Sequence, residues 1–458
     1  MFQQFQSIHF IGICGTAMAS VAAALQERGV RVTGSDQNVY PPMSDFLSKQ
    51  GIEVLEGYQE ANLDGSPDLV VIGNAISRGN PEAEAVLERK LRYCALPELL
   101  KESFIRGKRS LVITGTHGKT TAASLLAWIL ECNGFNPSYL IGGIPNNFSQ
   151  GARFTGSEWV VLEGDEYDTA FFDKRSKFVH YLPEIALINN LEFDHADIFD
   201  DLRQVQASFG RLINLIPSNG LLVVNGDDEN ITPLLDKAHC PVERFSFEQL
   251  DEVTYQESGA MFKLDGFKFE LPLYGEFNVR NALGVIFMAR HCGISDIQIQ
   301  KGFGTFTGIK RRMEIRCEVD GVTVVDDFAH HPTAIRETLS AIRTRFPEKR
   351  IWAVFEPRSN TTRRNVFQKE LADSLERAEI IVISAVAQSS QISDMDSLDS
   401  EELVNNLNTA GKFAAYLPTP EKIIDHVLEH VRKGDVICIL SNGGFGNLHE
   451  RLVHRLRV

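Results

Sequence analysis

The chain has no CxxC pair, no long uncharged apolar run, no internal repeat and no low-complexity tract. Each absence removes a class of protein. The seven cysteines, Cys14, Cys94, Cys132, Cys240, Cys292, Cys317 and Cys438, are odd in number and scattered. They exclude a disulfide framework and a cysteine zinc site and fit reduced thiols in the cytoplasm. No apolar stretch approaches the about 18 uncharged residues that a membrane helix needs. The opening MFQQFQSIHFIGICG has no basic leader and runs straight into strand-like sequence. A cytoplasmic protein with no membrane segment is therefore expected. Excess positive charge is missing as well. The 61 acidic residues against 46 Lys and Arg give a net charge of -15, which repels phosphate backbones and argues against a nucleic-acid partner.

What is present is an ordinary globular mixture, 43% hydrophobic over 458 residues. At about 100–200 residues per domain that is material for three domains. Short apolar runs alternate with helical patterns, the signature of βαβ units and parallel sheets. The first block reads as strand His9–Ile11, a glycine turn at Gly12–Gly15, helix Ala17–Arg28 and strand Val30–Thr33, with further strands at Ile52–Leu55 and Leu69–Ile72. Lys101–Arg109 is polar and reads as a linker. The second block opens with strand Leu111–Thr114, a glycine loop and helix Thr121–Cys132. Strands follow at Trp159–Leu162, Ile185–Ile188 and Leu221–Val224, then small antiparallel strands between Arg244 and Leu273 and a helix at Val279–His291. The third block carries strands Val322–Val325, Ile351–Phe355, Ile380–Ser384 and Val436–Leu440 and helices Ala334–Arg345 and Glu421–Val431. The expected architecture is three α/β domains in series, over residues 1–106, 107–308 and 309–458. The outer two are Rossmann-like, and the central one is a parallel sheet of the P-loop ATPase type.

The strongest chemical signal is Thr114-Gly115-Thr116-His117-Gly118-Lys119-Thr120-Thr121, between a strand and a helix. Glycines let backbone N–H groups turn inward onto phosphate oxygens, lysine adds positive charge, and the Thr120 hydroxyl is placed for a magnesium ion. The loop is shorter than a strict Walker A, which requires glycine where Ile113 stands. Two acidic clusters follow strands, Glu163-Gly164-Asp165-Glu166-Tyr167-Asp168 and Asn189-Asn190-Leu191-Glu192-Phe193-Asp194-His195. In a parallel sheet both fall on the rim that carries the phosphate loop, and magnesium prefers such oxygen donors.

Three further places carry candidates. Gly12-Ile13-Cys14-Gly15, with Asp36 after the second strand, resembles a dinucleotide turn but has Cys14 where a second glycine lets pyrophosphate approach. NAD is therefore disfavoured against another nucleotide diphosphate. Asp326-Asp327-Phe328-Ala329-His330-His331-Pro332-Thr333 presents a histidine pair, either for substrate or as satisfied structural residues. Arg358, in Glu356-Pro357-Arg358-Ser359-Asn360-Thr361, suits bidentate carboxylate recognition. Ser441–Gly446 either hugs a ligand or is only a turn, and Lys310–Glu314 is either a phosphate contact or a charged hinge.

Together these motifs resemble the Mur ligase family, the ATP-dependent amide-forming ligases of peptidoglycan synthesis. TGTHGKTT, EGDEYD, NLEFDH, GEFNVRNA (Gly275–Ala282), RRME and DDFAHHPT occur in the family's order over essentially the whole chain. IHFIGICGT, GSDQNVYPPMS (Gly34–Ser44), GNAISRGNPE (Gly73–Glu82), FFDKRSKFVHY (Phe171–Tyr181) and EPRSNT look like the members that use UDP-N-acetylmuramate. The resemblance implies that the acceptor is the tripeptide L-Ala-γ-D-Glu-meso-diaminopimelate, with free L-alanine the alternative. It implies ATP and Mg2+, with Gly115, Thr116, His117, Gly118, Lys119, Thr120 and Thr121 around the phosphates. Asn278 and Asn281 would approach adenine, and Arg312 and Asp327 the phosphates and ribose. Thr120, Glu163 and His195 would contact metal. Gly12, Gly15, Asp36, Asn74 and Ser77 would hold the UDP-sugar, and His331 and Arg358 the acceptor. Lys119, Glu163, His195 and His331 would carry the chemistry, with His331 a candidate base. The implied domain roles are UDP-sugar, ATP and acceptor binding, in that order.

Overall fold

The computed structural model describes residues 5–40, 43–256, 258–386 and 397–457. Pro41 and Pro42 of the Gly34–Ser44 segment lie outside the described residues. The chain forms two compact units. One comprises Met1–Glu192, Leu202–Ser246 and Leu283–Gly302, the other Phe193–Asp201, Phe247–Ala282 and Phe303–Val458.

The first unit contains two large sheets. β1 (Ser7–Ile11), β2 (Arg31–Asp36), β3 (Glu53–Glu56), β4 (Leu69–Ile72) and β5 (Tyr93–Ala95) form a parallel sheet in the order β3-β2-β1-β4-β5. All of β4 is buried, as expected of a strand covered on both faces. The second sheet is built from β6 (Arg109–Thr114), β7 (Ser138–Leu140), β8 (Ala152–Arg153) and β9 (Trp159–Glu163). After a hairpin of β10 (Asp168–Ala170) and β11 (Asp173–Ser176) it is completed by β12 (Ile185–Ile188), β13 (Leu221–Asn225) and β14 (Val242–Phe245). Its order is β14-β13-β12-β6-β9-β7-β8, parallel except for the β7–β8 edge. β12, β6 and β9 are therefore neighbours whose carboxyl ends share one rim.

The second unit holds a three-stranded antiparallel sheet of β15 (Leu250–Gln256), β16 (Gly259–Leu264) and β17 (Phe267–Leu271). It also holds a six-stranded sheet of β18 (Glu314–Val319), β19 (Val322–Asp327), β20 (Ile351–Phe355), β21 (Ile380–Ile383), β22 (Phe413–Tyr416) and β23 (Val436–Leu440). The order is β18-β19-β23-β20-β21-β22, with only β18 antiparallel. Apolar clusters cover both of its faces, one around Leu339, Phe355 and Leu375, the other around Trp352, Val427 and Leu448.

One expectation fails. Lys101–Arg109 is not a linker. Lys101–Ile105 forms a π-helical turn that continues the helix Leu96–Leu100, and Arg109 already starts β6. Phe104 and Ile105 are buried, and the Arg28 guanidinium lies 4.1 Å from the Phe104 ring centroid. Two apolar side chains in a polar stretch are enough to fix it. The antiparallel expectation for the region from Arg244 to Leu273 holds from Leu250 onward, whereas Val242–Phe245 is a parallel strand of the large sheet.

Candidate active site

The phosphate loop leaves β6 at Thr114 and enters the helix Lys119–Cys132 through Gly118. Gly118 has φ +81° and Gly115 φ +134°, values that side chains rarely adopt. A Cβ at Gly115 would lie 3.1 Å from the Asn190 backbone. That approach is used. The Thr116 N–H donates to Asn190 O (3.1 Å) and the His117 N–H to Asn190 Oδ1 (2.7 Å). Asn190 Nδ2 donates back to His117 O (3.0 Å). The Thr116 hydroxyl also accepts the Glu192 N–H at 2.8 Å. The segment after β12 thus shapes the loop that follows β6.

Charge is concentrated at the carboxyl end of β9. The Thr120 hydroxyl donates to Glu163 Oε1 (2.9 Å), and Glu163 Oε2 accepts the Gly142 N–H (2.6 Å). Lys119 Nζ faces Glu166, Gly115 O and Thr116 O. Asp165 pairs with Lys177 at 2.6 Å. Burial opposes the charge on Asp165, but Lys177 and Lys119 outweigh it and bring its pKa down to about 2. Burial likewise opposes the charge on Lys119, but Glu166 and Asp165 outweigh it and hold its pKa above the ordinary lysine value. Asp165 and Lys119 therefore keep their charges beside the loop. Neither Glu166 nor Lys177 stands out individually in the sequence, because pairs formed across the sheet rim leave no local pattern.

In the first sheet the glycine turn forms as expected. Gly12 has φ +86°, and its N–H donates to Ser35 O at 2.8 Å. Asp36 accepts N–H groups from Cys14 (2.9 Å) and Asn38 (3.0 Å), so it braces the turn with both carboxylate oxygens. Gly15 caps the helix Thr16–Glu27. Asn74 donates to the Asp168 carbonyl and to Asp168 Oδ1 (3.1 Å), which ties the end of β4 to the β10 hairpin. Ser77 is exposed after β4.

The second unit gathers the remaining candidates in separate places. Asn278 and Asn281 are buried three residues apart on one helix face. Asn278 donates to Tyr274 O (2.7 Å), and Asn281 donates to Asn278 Oδ1 (3.3 Å). Asp327 accepts the N–H groups of Met313 (2.7 Å) and Ala329 (2.8 Å), and burial raises its pKa against the pull of Arg312. It shapes the turn that lays Arg312 4.8 Å from the Phe328 ring centroid. Arg311 is structural: it pairs with Asp326 and donates to the carbonyls of Ser441 and Gly443.

His195 has φ +57°. Its N–H reaches Asp194 Oδ1 (2.7 Å) and Thr361 Oγ1 (3.1 Å), while the Thr361 hydroxyl donates to Asp194 Oδ1 (2.7 Å). Burial opposes the Asp194 charge, but His195, His330 and His331 outweigh it and hold the carboxyl far below its usual range. His331 caps the helix Pro332–Arg345, its Nδ1 accepting the Thr333 N–H at 3.3 Å. Its Nε2 therefore carries the proton and faces Phe193 O at 3.2 Å. Arg358 lies 3.5 Å from Glu356 and packs on Gly443, where any Cβ would overlap its Nε and Cδ. The Ser441–Gly446 loop is thus a turn built to receive an arginine.

Parallel α/β sheets in series, with a strand–glycine loop–helix facing an acidic rim, define a protein of the phosphate-loop class. Comparison with known proteins narrows this. Residues 7–107 match the Mur ligase family catalytic domain, 113–289 the Mur ligase middle domain and 311–443 the Mur ligase glutamate ligase domain. The chain belongs to the Mur ligase family. It is 42% identical to the UDP-N-acetylmuramate–L-alanyl-γ-D-glutamyl-meso-2,6-diaminoheptandioate ligase of Escherichia coli K12, over 98% of both chains. It is 31% identical to the UDP-N-acetylmuramate–L-alanine ligase of Salinibacter ruber, over 99% of this chain and 95% of the relative. Among solved structures it resembles a murein peptide ligase from Psychrobacter arcticus 273-4, with a TM-score of 0.74 and 36% identity over 98% of both chains. Among the described residues no helix is long and apolar enough to cross a membrane.

Proposed function

We propose that this protein joins the lactyl carboxylate of UDP-N-acetylmuramate to the amine of L-Ala-γ-D-Glu-meso-diaminopimelate, converting ATP to ADP and phosphate. The observation that carries this is 42% identity over 98% of the chain to a relative named for that ligation, against 31% for a relative named for L-alanine. The carboxylate takes the γ-phosphoryl group, the amine attacks the acyl phosphate, and phosphate leaves. Such chemistry is mostly positioning and charge neutralisation.

The three domains divide the work as UDP-sugar, ATP and acceptor binding. Gly12, Gly15, Asp36, Asn74 and Ser77 serve the UDP-sugar, with Asp36 acting through the turn it braces. The loop from Gly115 to Thr121 takes the phosphates. Asn278 and Asn281 serve adenine, and Arg312 and Asp327 the phosphates and ribose. Magnesium prefers oxygen donors. The Thr120 hydroxyl and the Glu163 carboxylate, 2.9 Å apart, supply two at one place, so these residues fit the ion. Bound there, magnesium neutralises phosphate charge. His195 is assigned to a second metal, held in its left-handed conformation by Asp194 and Thr361.

His331 and Arg358 are assigned to the acceptor. Both ring nitrogens of His331 are engaged by the backbone, so its contacts favour positioning over proton abstraction. The test is phosphate release with ATP, magnesium and UDP-N-acetylmuramate, offering tripeptide and L-alanine in parallel. Release with the tripeptide supports the reading, and release with alanine alone defeats it.

A further inference from the structure

Lys119 is more fully engaged than a phosphate-binding lysine needs to be. An ammonium carries three N–H donors. Three acceptor groups face Nζ: Gly115 O at 2.7 Å, Thr116 O at 3.1 Å and the Glu166 carboxylate, with Oε1 at 2.9 Å and Oε2 at 2.8 Å. The two carbonyls belong to the loop itself. Glu166 reaches in from beyond the end of β9, 47 residues away, and is only 2% exposed. A phosphate oxygen gains an N–H of Lys119 by taking one of these three places. The carboxylate is the partner that resembles it, an anion with oxygens at hydrogen-bond distance.

We propose that Glu166 is a positioning residue for Lys119: its carboxylate holds the place on the ammonium that a terminal phosphate oxygen of ATP takes, so nucleotide binds by exchanging one anion for another. This rests on the reading of the loop as an ATP site. Glu166 holds the part-buried lysine aimed at the loop, and it lowers affinity for anything that competes for the same ammonium. Neighbouring Asp165 supplies an internal comparison. It also lies in the field of Lys119, but its hydrogen bond goes to Lys177. A general repulsion between rim carboxylates and phosphates would act through both acids. Exchange acts through Glu166.

The experiment is calorimetric titration of the full-length protein with Mg-ADP, Mg-ATP and AMP, comparing wild type, Glu166→Gln and Asp165→Asn. Glu166→Gln should bind ADP and ATP about fivefold to tenfold more tightly, with AMP unchanged and a clearly smaller gain for Asp165→Asn. Should Glu166→Gln not fold, Glu166→Asp, which withdraws the carboxylate by one methylene, should show a gain of the same sign. Equal gains in Glu166→Gln and Asp165→Asn, or unchanged or weaker binding in the Glu166 variants, would overturn the exchange and leave the ATP site standing. Wild-type protein that binds no adenine nucleotide would overturn both.

Discussion

His117 and Asn190 are joined by a reciprocal pair of hydrogen bonds, His117 N–H to Asn190 Oδ1 at 2.7 Å and Asn190 Nδ2 to His117 O at 3.0 Å. One side chain thereby fixes both backbone groups of a phosphate-loop residue, the N–H and the carbonyl of His117. Asn190→Ala should raise KM for ATP about thirtyfold, at roughly 1 kcal/mol for each of the two hydrogen bonds lost. Asn190→Asp keeps an acceptor for the His117 N–H and should lose less. Steady-state kinetics on the two variants checks the order.

Lys119→Ala should abolish ADP formation and also lower the melting temperature, because it strands the buried Glu166 carboxylate. Breaking a buried pair by removing one partner costs about 3–5 kcal/mol. Lys119→Met combined with Glu166→Gln removes both charges and should recover most of the lost stability with no recovery of activity. Thermal melts beside an ADP-release assay separate the two effects. A double variant no more stable than Lys119→Ala would count against the pair.

Asp165 gives stability a defined acid limb. Its folded pKa is depressed from 3.8 to about 2, with burial opposing the shift and Lys177 and Lys119 driving it. The contribution is complete above the unfolded value of 3.8 and is lost as pH falls through about 2. Wild type should therefore be more stable than Asp165→Asn at neutral pH, and the gap should close across that acid window. Denaturant melts of both proteins at several acid pH values provide the measurement. A gap that stays constant down to the lower end would remove Asp165 from the account.

Gly443→Ala should act on the acceptor alone. The new methyl overlaps Arg358 Nε and Cδ and must displace the guanidinium. An increase of about tenfold in KM for the tripeptide, with KM for ATP nearly unchanged, is expected. A rise confined to ATP would contradict the acceptor role given to Arg358.

The phosphate loop was legible because all of its determinants are local. A strand, two glycines with positive φ, a lysine and a helix start lie within a few residues. The shared rim was legible too, since parallel strands place every following loop at the same end. Contacts between distant segments were not. Glu166 and Lys119 are 47 residues apart, and EGDEYD reads equally well as solvated acid. Asp36 reads as part of the UDP-sugar segment, and its hydrogen bonds from the Cys14 and Asn38 N–H groups leave no separate sign in the sequence. β18 went unread because EIRCEV mixes charge with apolar residues at an edge, and the supposed linker hid Phe104 and Ile105 among polar neighbours.

The membership of the two units has a practical result for anyone who would divide this protein. The polypeptide changes unit after residues 192, 201, 246, 282 and 302, so no single scission yields either one whole. A gene truncated after residue 308 would still encode β15–β17 while discarding the six-stranded sheet of the same unit. Split reporters and halves expressed separately would begin with torn fragments of both, and the enzyme is best handled as one indivisible piece.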